Sequence, residues 1–335
     1  MIDRRHAILG TLAAGLAAPV LAQGKVGGGA APADPVETIE LWPGAAPGMP
    51  ATPPVEKVEE RSREPGYHNR TVTGIVRPRL LVFRPARANG SALLVIPGGG
   101  YSLIAMDHEG HAVARRLAAQ GWTVFVLLYR LPGDGWAAGP DVALSDAQRA
   151  MRLIRARAAT YGIRPERVGV LGFSAGGHLC GDLATRFAAP TYAPVDAADR
   201  LDARPAIAAP IYAVQSMTLP MAHAGSRALL IGKDASPTLE RAHSTALNVG
   251  AQTPPCFLVH AEDDGAVDVG NTLEFRAALK AAKVPVETHL FAEGGHGFSL
   301  TLPDSKPASR WLDLFTVWAG THGLGQGAAS PQRGG

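Results

Sequence analysis

The chain has 335 residues, of which 46% are hydrophobic and 18% charged, enough for a large core in one α/β domain or two modest ones. The formal net charge of +3 is small, and no dense run of lysine and arginine stands beside aromatic residues, which argues against a nucleic-acid partner. Cys180 and Cys256 lie in apolar stretches, and we predict two small core residues rather than a disulfide.

The first 22 residues have the pattern of an export signal. Arg4 and Arg5 form a charged end, an alanine-rich apolar stretch follows, and V-L-A ends at Ala22 as a small-residue cleavage site. The apolar stretch is too short and too interrupted to predict a membrane span. D-R-R-H-A-I-L resembles a twin-arginine signal, although Ala7 replaces the usual bulky residue, and a Sec signal is the alternative. We expect a bacterial periplasmic or secreted protein with no stable membrane insertion once the signal is removed.

Four further segments complete the predicted organisation. Residues 23–35 are rich in glycine, alanine and proline and are predicted to be a flexible linker. Residues 36–322 form a single α/β domain in this prediction, and 323–335 form a loose tail. Within the domain, the stretch at about 213–250 interrupts the strand–helix pattern and is predicted to be a lid-like insert over the carboxyl ends of the strands.

Strands and helices alternate through most of the domain, which predicts a mostly parallel, doubly wound sheet with helices on both faces. Two weakly alternating segments near Pro78 are predicted to pair with each other as an antiparallel N-terminal edge. Arg149, Arg152 and Arg155 lie opposite the apolar stripe of one helix and are predicted to be solvated. The predicted strands are 71–76, 80–83, 92–96, 122–129, 168–172, 206–212, 257–261 and 286–291. The predicted helices are 108–120, 144–158, a helix that begins after Ser174, 275–282 and 311–318.

The sequence G-F-S-A-G places Ser174 in a tight turn between a strand and a helix. Glycines on both sides of a serine are what a nucleophile elbow requires, because a Cβ at Gly172 or Gly176 would clash. The start of the following helix points free N–H groups at the place where negative charge would develop. We therefore predict that Ser174 is a nucleophile.

A serine hydroxyl needs a base to take its proton, and in this chain order the acid comes before the histidine. His296 lies in the glycine-rich loop E-G-G-H-G-F after a strand, and we predict that it is the base. Glu262, Asp263 and Asp264 follow the preceding strand. Asp264 is favoured because the loop begins after it; Asp263 is the alternative, and Glu262 fits less well because it continues the strand.

The glycine run I-P-G-G-G-Y follows the first parallel strand and can turn backbone N–H groups toward a site. Gly99, Gly100 and Ala175 are the predicted oxyanion hole, with Tyr101 as a further candidate. No Lys-Ser/Thr pair follows the glycines, which argues against nucleotide binding. Tyr101, Trp136 and Met221 are the candidate substrate-binding residues.

A second motif, D-H-E-G-H at 107–111, contains two histidines. They are three residues apart, which is not the H-E-x-x-H metal spacing, and Glu109 suits the start of a helix. We predict no metal site. His178, His260 and His289 lie within predicted elements and are expected to pack or to face solvent.

These motifs together resemble the α/β-hydrolase carbohydrate esterases, the acetylxylan-esterase and feruloyl-esterase-like group. The resemblance rests on P-G-G-G-Y, H-E-G-H, L-L-Y-R-L-P, G-F-S-A-G-G-H-L, H-A-E-D-D-G-A-V and G-G-H-G-F, with L-W-P-G-A-A-P-G near the N-terminus. It implies an α/β-hydrolase fold with Ser174 as nucleophile, Asp264 as acid and His296 as base. Gly265 and Asp268 stand where the group usually has prolines.

The expected activity is deacetylation of plant polysaccharide of the xylan type, or of its oligosaccharides, through an acyl-serine intermediate and without a cofactor. A feruloyl esterase or a general short-chain carboxylesterase is the first alternative. A serine peptidase of the same fold and a catalytically inactive binding protein are more distant alternatives. The sequence does not predict an oligomeric state.

Overall fold

A computed structural model describes residues 33–325, so the predicted export signal lies outside the described residues, as do most of the predicted linker and tail. The strands are β1 (Thr38–Glu40), β2 (Lys57–Glu60), β3 (Arg70–Thr73), β4 (Arg79–Phe83), β5 (Ala92–Ile96), β6 (Thr123–Leu128), β7 (Val168–Phe173), β8 (Ala208–Ile211), β9 (Cys256–Ala261) and β10 (Val286–Phe291). The helices are α1 (Ala112–Ala118), α2 (Val142–Ala156), α3 (Ser174–Arg186), α4 (Ala224–Ile231), α5 (Pro237–His243), α6 (Gly270–Ala281) and α7 (Trp311–Thr321).

Eight strands form one sheet in the order β1-β4-β6-β5-β7-β8-β9-β10. The six strands from β6 to β10 in that order are parallel, and β4 and β1 add antiparallel pairs at one edge. The predicted mostly parallel sheet with an antiparallel N-terminal edge is confirmed. Every residue of β5, β6, β7 and β9 is buried, because helices and loops cover both faces of these apolar runs.

The predicted pairing of the two edge segments is wrong. β3 pairs with β2 in a separate two-stranded sheet, whereas β4 pairs with β1 and β6. Both segments are short and only weakly alternating, so the local pattern did not specify their partners. The predicted helix at 108–120 also begins differently, as a π-helical turn at Met106–His111 that continues into α1.

The predicted solvated face of α2 is wrong at Arg149, which is 1% exposed. Its guanidinium donates to the carbonyl of Leu41 at 2.8 Å and pairs with Asp199 at 2.9 Å. Loops that the helical pattern could not reveal cover this face and satisfy the buried charge.

The N-terminal L-W-P-G segment is anchored in the same region. The indole N–H of Trp42 donates to Asp146 Oδ1 at 2.9 Å, and the guanidinium of Arg130 pairs with the same carboxylate at 2.8 Å. All three side chains are buried. The segment before the central sheet is therefore part of the folded unit.

Both cysteines are buried and unpaired, as predicted. The stretch predicted to be an insert contains α4 and α5 followed by a short 3₁₀ turn, Thr245–Asn248. Within residues 33–325, no helix has the length and apolar character needed to span a membrane.

Candidate active site

Ser174 stands at the junction of β7 and α3 with φ of 52°, a left-handed conformation that costs energy for a residue with a Cβ. Glycines make the turn possible. A Cβ on Gly172 would lie 2.2 Å from the carbonyl oxygen of Gly176, and one on Gly176 would lie 2.3 Å from that of Ile96. The clash expected at both positions is therefore confirmed, and the turn has the shape of a nucleophile elbow.

The structure brings together the three side chains that the sequence singled out. His296 Nε2 lies 2.9 Å from Ser174 Oγ, and His296 Nδ1 lies 2.7 Å from Asp264 Oδ2. The carboxylate can only accept, so Nδ1 carries the hydrogen and Nε2 can accept the serine proton. The side chain of Asp264 is fully buried, whereas that of His296 is 25% exposed. The base therefore faces the cleft and the acid lies behind it.

Asp264 is held on every side by donors. Its Oδ1 accepts the N–H groups of Ala266 and Val267, both at 2.9 Å, and its Oδ2 accepts from His260 Nε2 at 3.1 Å as well as from His296. Burial alone would raise the pKa of Asp264, but the hydrogen bonds from His260, His296 and Val267 lower it well below its ordinary value. The carboxylate is therefore ionised at neutral pH.

The role of His260 was missed by the sequence analysis, which expected only packing or a surface position. Its Nδ1 accepts from the hydroxyl of Thr272 at 2.8 Å, and its Nε2 faces the carbonyl of Val267 at 3.0 Å. Both contacts fix the ring with its N–H directed at Asp264. A histidine four residues before the acid, at the end of a buried strand, is the signal that could have indicated this contact.

The two alternative acids occupy other places. Asp263 Oδ1 accepts the N–H groups of Gly294 and Gly295 at 2.9 and 2.7 Å and so supports the loop that carries His296. Glu262 is exposed at the end of the strand. Asp264 is the carboxylate of this trio that contacts His296.

The glycine run forms a loop beside the elbow. Gly99 and Gly100 have φ of 129° and 64°, conformations that favour glycine, and Gly99 accepts the N–H of Ser102 at 3.0 Å. Within residues 33–325, the N–H groups of Gly99 and Gly100 make no hydrogen bond. Ala175 lies in the first turn of α3, where backbone N–H groups have no helical partner. The loop at residues 97–101, which contains the glycine run, is called the oxyanion loop below.

Two of the candidate substrate-binding side chains lie inside the protein, which corrects the expectation. Tyr101 is 1% exposed, and its hydroxyl donates to His178 Nδ1 at 2.6 Å. Trp136 is 3% exposed, with the guanidinium of Arg130 4.8 Å from its ring centre. Both rings are enclosed by the protein, so neither presents a face to substrate. Met221 is half-buried against the start of α6, and its proposed contact with substrate stays a prediction.

His223, a residue that the sequence analysis did not select, lies at the N-terminus of α4 in the predicted insert. Its Nδ1 accepts the N–H of Ser226 at 3.2 Å, so the hydrogen of the neutral ring is on Nε2. Burial lowers the pKa of His223, and the positive charge of a protonated His296 lowers it further. A Cβ on Gly100 would lie 3.8 Å from Ser226 Oγ, so this helix start borders the oxyanion loop.

One cluster in the described residues has the spacing of a metal site. Asp34, Asp107 and His111 offer ligand atoms within 4.8 Å of one another. The guanidinium of Arg70 already pairs with Asp34 at 2.6 Å and with Asp107 at 2.8 Å. A cation would have to displace this arginine, so the donor set does not favour a metal ion.

A mostly parallel sheet, a serine at a strained strand–helix turn, and an acid and a histidine after later strands define the α/β-hydrolase fold. Comparison with known families adds the particular group. The BD-FAE family model matches residues 82–279, more than half of the chain, and the chain belongs to this family.

The relatives agree with this assignment. A crystal structure of an acetyl ester-xyloside bifunctional hydrolase from Caldicellulosiruptor lactoaceticus is 32% identical, with a TM-score of 0.69 over 86% of this chain and 96% of that chain. An acetylxylan esterase of Xylanibacter ruminicola is 31% identical over 66% of this chain and 44% of its own length. An endo-1,4-beta-xylanase B of Butyrivibrio fibrisolvens is 33% identical over 79% of this chain and 41% of its own length. The chain thus spans less than half the length of these two curated relatives.

Proposed function

We propose that this protein is a secreted serine esterase that removes acetyl groups from plant polysaccharide of the xylan type or from its oligosaccharides. The observation that carries the proposal is the continuous series of contacts from Ser174 through His296 to the buried Asp264, at 2.9 and 2.7 Å. The names of the relatives, an acetylxylan esterase and an acetyl ester-xyloside hydrolase, support the choice of substrate.

In the proposed mechanism, Ser174 Oγ attacks the ester carbonyl while His296 Nε2 takes its proton. The ionised Asp264 holds the imidazole in the correct tautomer and stabilises the imidazolium that forms. The free N–H groups of Gly99, Gly100 and Ala175 stabilise the developing oxyanion. His296 then protonates the departing sugar oxygen. Water next attacks the acetyl-serine carbonyl while His296 takes its proton, and His296 returns that proton to Ser174 Oγ as the bond to the serine breaks and acetate leaves.

The insert is proposed to shape the side of the site where the sugar leaves. The start of α4 borders the oxyanion loop, and within the described residues His223 Nε2 has no hydrogen-bond partner. A neutral histidine that donates from Nε2 is suited to a sugar hydroxyl. His223 is therefore the residue of the insert that we assign to substrate binding, together with Met221.

Secretion belongs to the same proposal, because a polymeric substrate does not enter the cytoplasm. It rests on the pattern of the first 22 residues. Cell fractionation of the full-length protein, beside a variant in which Arg4 and Arg5 are replaced by lysine, tests the export route. Export lost in the lysine variant would favour the twin-arginine route over Sec.

The direct test of the activity is Ser174→Ala, assayed with p-nitrophenyl acetate. We expect hydrolysis to fall to background while the Tm changes little, because only one hydroxyl is lost. Ser91→Ala is the matched control: Ser91 is also buried but precedes β5 at the opposite end of the sheet, and the variant should keep full activity. Full activity in Ser174→Ala would overturn the proposal.

A second assay identifies the substrate. The wild-type protein is incubated with acetylated xylan, acetylated pectin and feruloylated arabinoxylan, and the released acid is identified. Acetate released chiefly from xylan supports the proposed substrate. Ferulate as the main product would favour the feruloyl esterase alternative, and activity on simple short esters alone would favour a general carboxylesterase.

A further inference from the structure

The D-H-E-G-H motif, which the proposed reaction leaves without a role, forms the π-helical turn Met106–His111 directly beside the site. π-Helical turns are rare in proteins, and many of those that occur are found at functional sites. Glu109 within it is 4% exposed. Its Oε2 accepts the N–H of Gly98 at 2.7 Å, and its Oε1 accepts the hydroxyl of Tyr212 at 2.9 Å. The carboxylate therefore holds the first glycine of the oxyanion loop and a buried tyrosine at once.

Tyr212 carries this connection to the catalytic histidine. Its hydroxyl, which donates to Glu109, also accepts the N–H of Ser299 at 3.2 Å, and its ring centre lies 5.2 Å from that of His296. The backbone of Tyr212 has φ of 35°, a strained value for a bulky residue. The tyrosine therefore needs external support to keep its ring against the imidazole.

A neighbouring residue of the same turn makes a second connection to residues 292–299, the segment after β10 that carries His296 and is called the histidine loop below. His108 Nε2 donates to the carbonyl of Gly297 at 2.6 Å, and the hydroxyl of Ser299 donates to the carbonyl of His108 at 2.9 Å. The turn thus contacts the histidine loop on both sides of Phe298. Within the turn as described, the side chain of Glu109 also forms a hydrogen bond with the oxyanion loop.

The carboxylate of Glu109 lies close to the nucleophile, Ser174. A Cβ on Gly98 would lie 2.8 Å from Glu109 Oε2 and 3.0 Å from the Cβ of Ser174. The glycine at this position allows the carboxylate, the loop and the nucleophile to pack together. A buried carboxylate with two hydrogen bonds is costly to disturb, because truncating it leaves both donors unpaired.

We propose that Glu109 is a positioning residue, which sets the oxyanion loop relative to His296 through the chain Gly98–Glu109–Tyr212–Ser299. The inference rests on the proposed esterase activity. The oxyanion donors and the base act on the same intermediate, so a shift between them raises the barrier without weakening the binding of intact substrate.

The test uses Glu109→Gln and Tyr212→Phe in the full chain. The glutamine can keep the bond from Gly98, but its amide N–H then faces the tyrosine oxygen, and Tyr212→Phe removes the link from the other side. For each variant we expect kcat for p-nitrophenyl acetate to fall roughly tenfold to a hundredfold, with KM within about twofold of the wild type. The affinity for a trifluoromethyl ketone, which forms an oxyanion on the serine, should fall in parallel with kcat/KM.

The double variant, Glu109→Gln with Tyr212→Phe, distinguishes one shared series of hydrogen bonds from two independent defects. Because Glu109 and Tyr212 belong to one connection, the double variant should be little slower than the slower single variant. Tyr161→Phe is the matched control: that buried tyrosine donates to Glu37 at 2.8 Å, and it precedes β7 at the far end of the sheet, so kcat should not change.

Wild-type kcat in both single variants would overturn the inference, as would a rise in KM alone or fully additive losses in the double variant. A purely structural role would lower Tm and the active fraction but leave the analogue affinity of the folded molecules unchanged, and that result also counts against it. Ser174→Ala keeps the two proposals apart. If that variant is inactive and Glu109→Gln is not impaired, the positioning role fails and the esterase stands.

Discussion

Replacement of Asp264 by asparagine tests the proton relay most sharply, because the surroundings of this side chain force one amide orientation. Oδ1 accepts the N–H groups of Ala266 and Val267, both at 2.9 Å, so the asparagine oxygen must stay there. The new NH₂ group then takes the place of Oδ2, 2.7 Å from His296 Nδ1 and 3.1 Å from His260 Nε2. Two donors would meet at each of these contacts.

The imidazole of His296 can escape this conflict only by moving its hydrogen from Nδ1 to Nε2. In that tautomer Nε2 donates toward Ser174 and cannot accept the serine proton. The equivalent change in serine proteases costs about 10⁴ in kcat, and at about 1.4 kcal/mol per factor of ten this is about 5.5 kcal/mol of lost transition-state stabilisation. We expect a loss of this size, measured by steady-state kinetics on protein that is verified as folded by circular dichroism.

Asp263→Asn is the matched control, one residue away. The asparagine oxygen can still accept the N–H groups of Gly294 and Gly295, so kcat should stay within about threefold of the wild type. An Asp264→Asn enzyme with more than a tenth of wild-type kcat would refute the tautomer argument. Greater damage from Asp263→Asn would move the acid to that residue.

Three further predictions concern packing, pH and substrate. In Gly176→Ala the new Cβ would lie 2.3 and 2.4 Å from the backbone oxygens of Ile96 and Pro97. We therefore expect the free energy of unfolding, measured in urea, to fall by roughly 3 kcal/mol or more. Gly250→Ala is the control and should be tolerated, because there is open space around Gly250. Burial lowers the pKa of His178 from 6.5 to about 4, so the folded state resists a proton that the unfolded chain accepts. Stability should therefore fall by about 3 kcal/mol from this group as pH drops from 6.5 to 4, and His178→Gln should flatten the curve of Tm against pH in that window; an unchanged curve would contradict the burial argument. The p-nitrophenyl esters should be hydrolysed faster as acetate than as octanoate, and the reverse order would count against the acetyl preference.

The sequence predicted the features that depend on local patterns. The elbow around Ser174 needs only a few consecutive residues, and the buried strands read as uninterrupted apolar runs. His296 stood out because glycines flank it. Each of these signals is complete within one short stretch of chain.

What the sequence did not predict depends on distant partners. The pairing of β3 with β2, the burial of Arg149 and the contact between His260 and Asp264 all join segments that carry no local sign of each other. The same holds for Glu109, which the motif suggested only as a favourable residue for the start of a helix. Its two bonds come from residues 11 and 103 positions away in the chain.

The anchoring of the L-W-P-G segment has a practical consequence for recombinant work. The family match covers residues 82–279, and a gene trimmed to those limits would discard Trp42 together with the last strand, His296 and α7. Asp146 and Arg130 would then lose their indole neighbour and become exposed to water on one side. Such a fragment should be both inert and poorly soluble, so expression boundaries for this protein belong outside the residues that the family model matches.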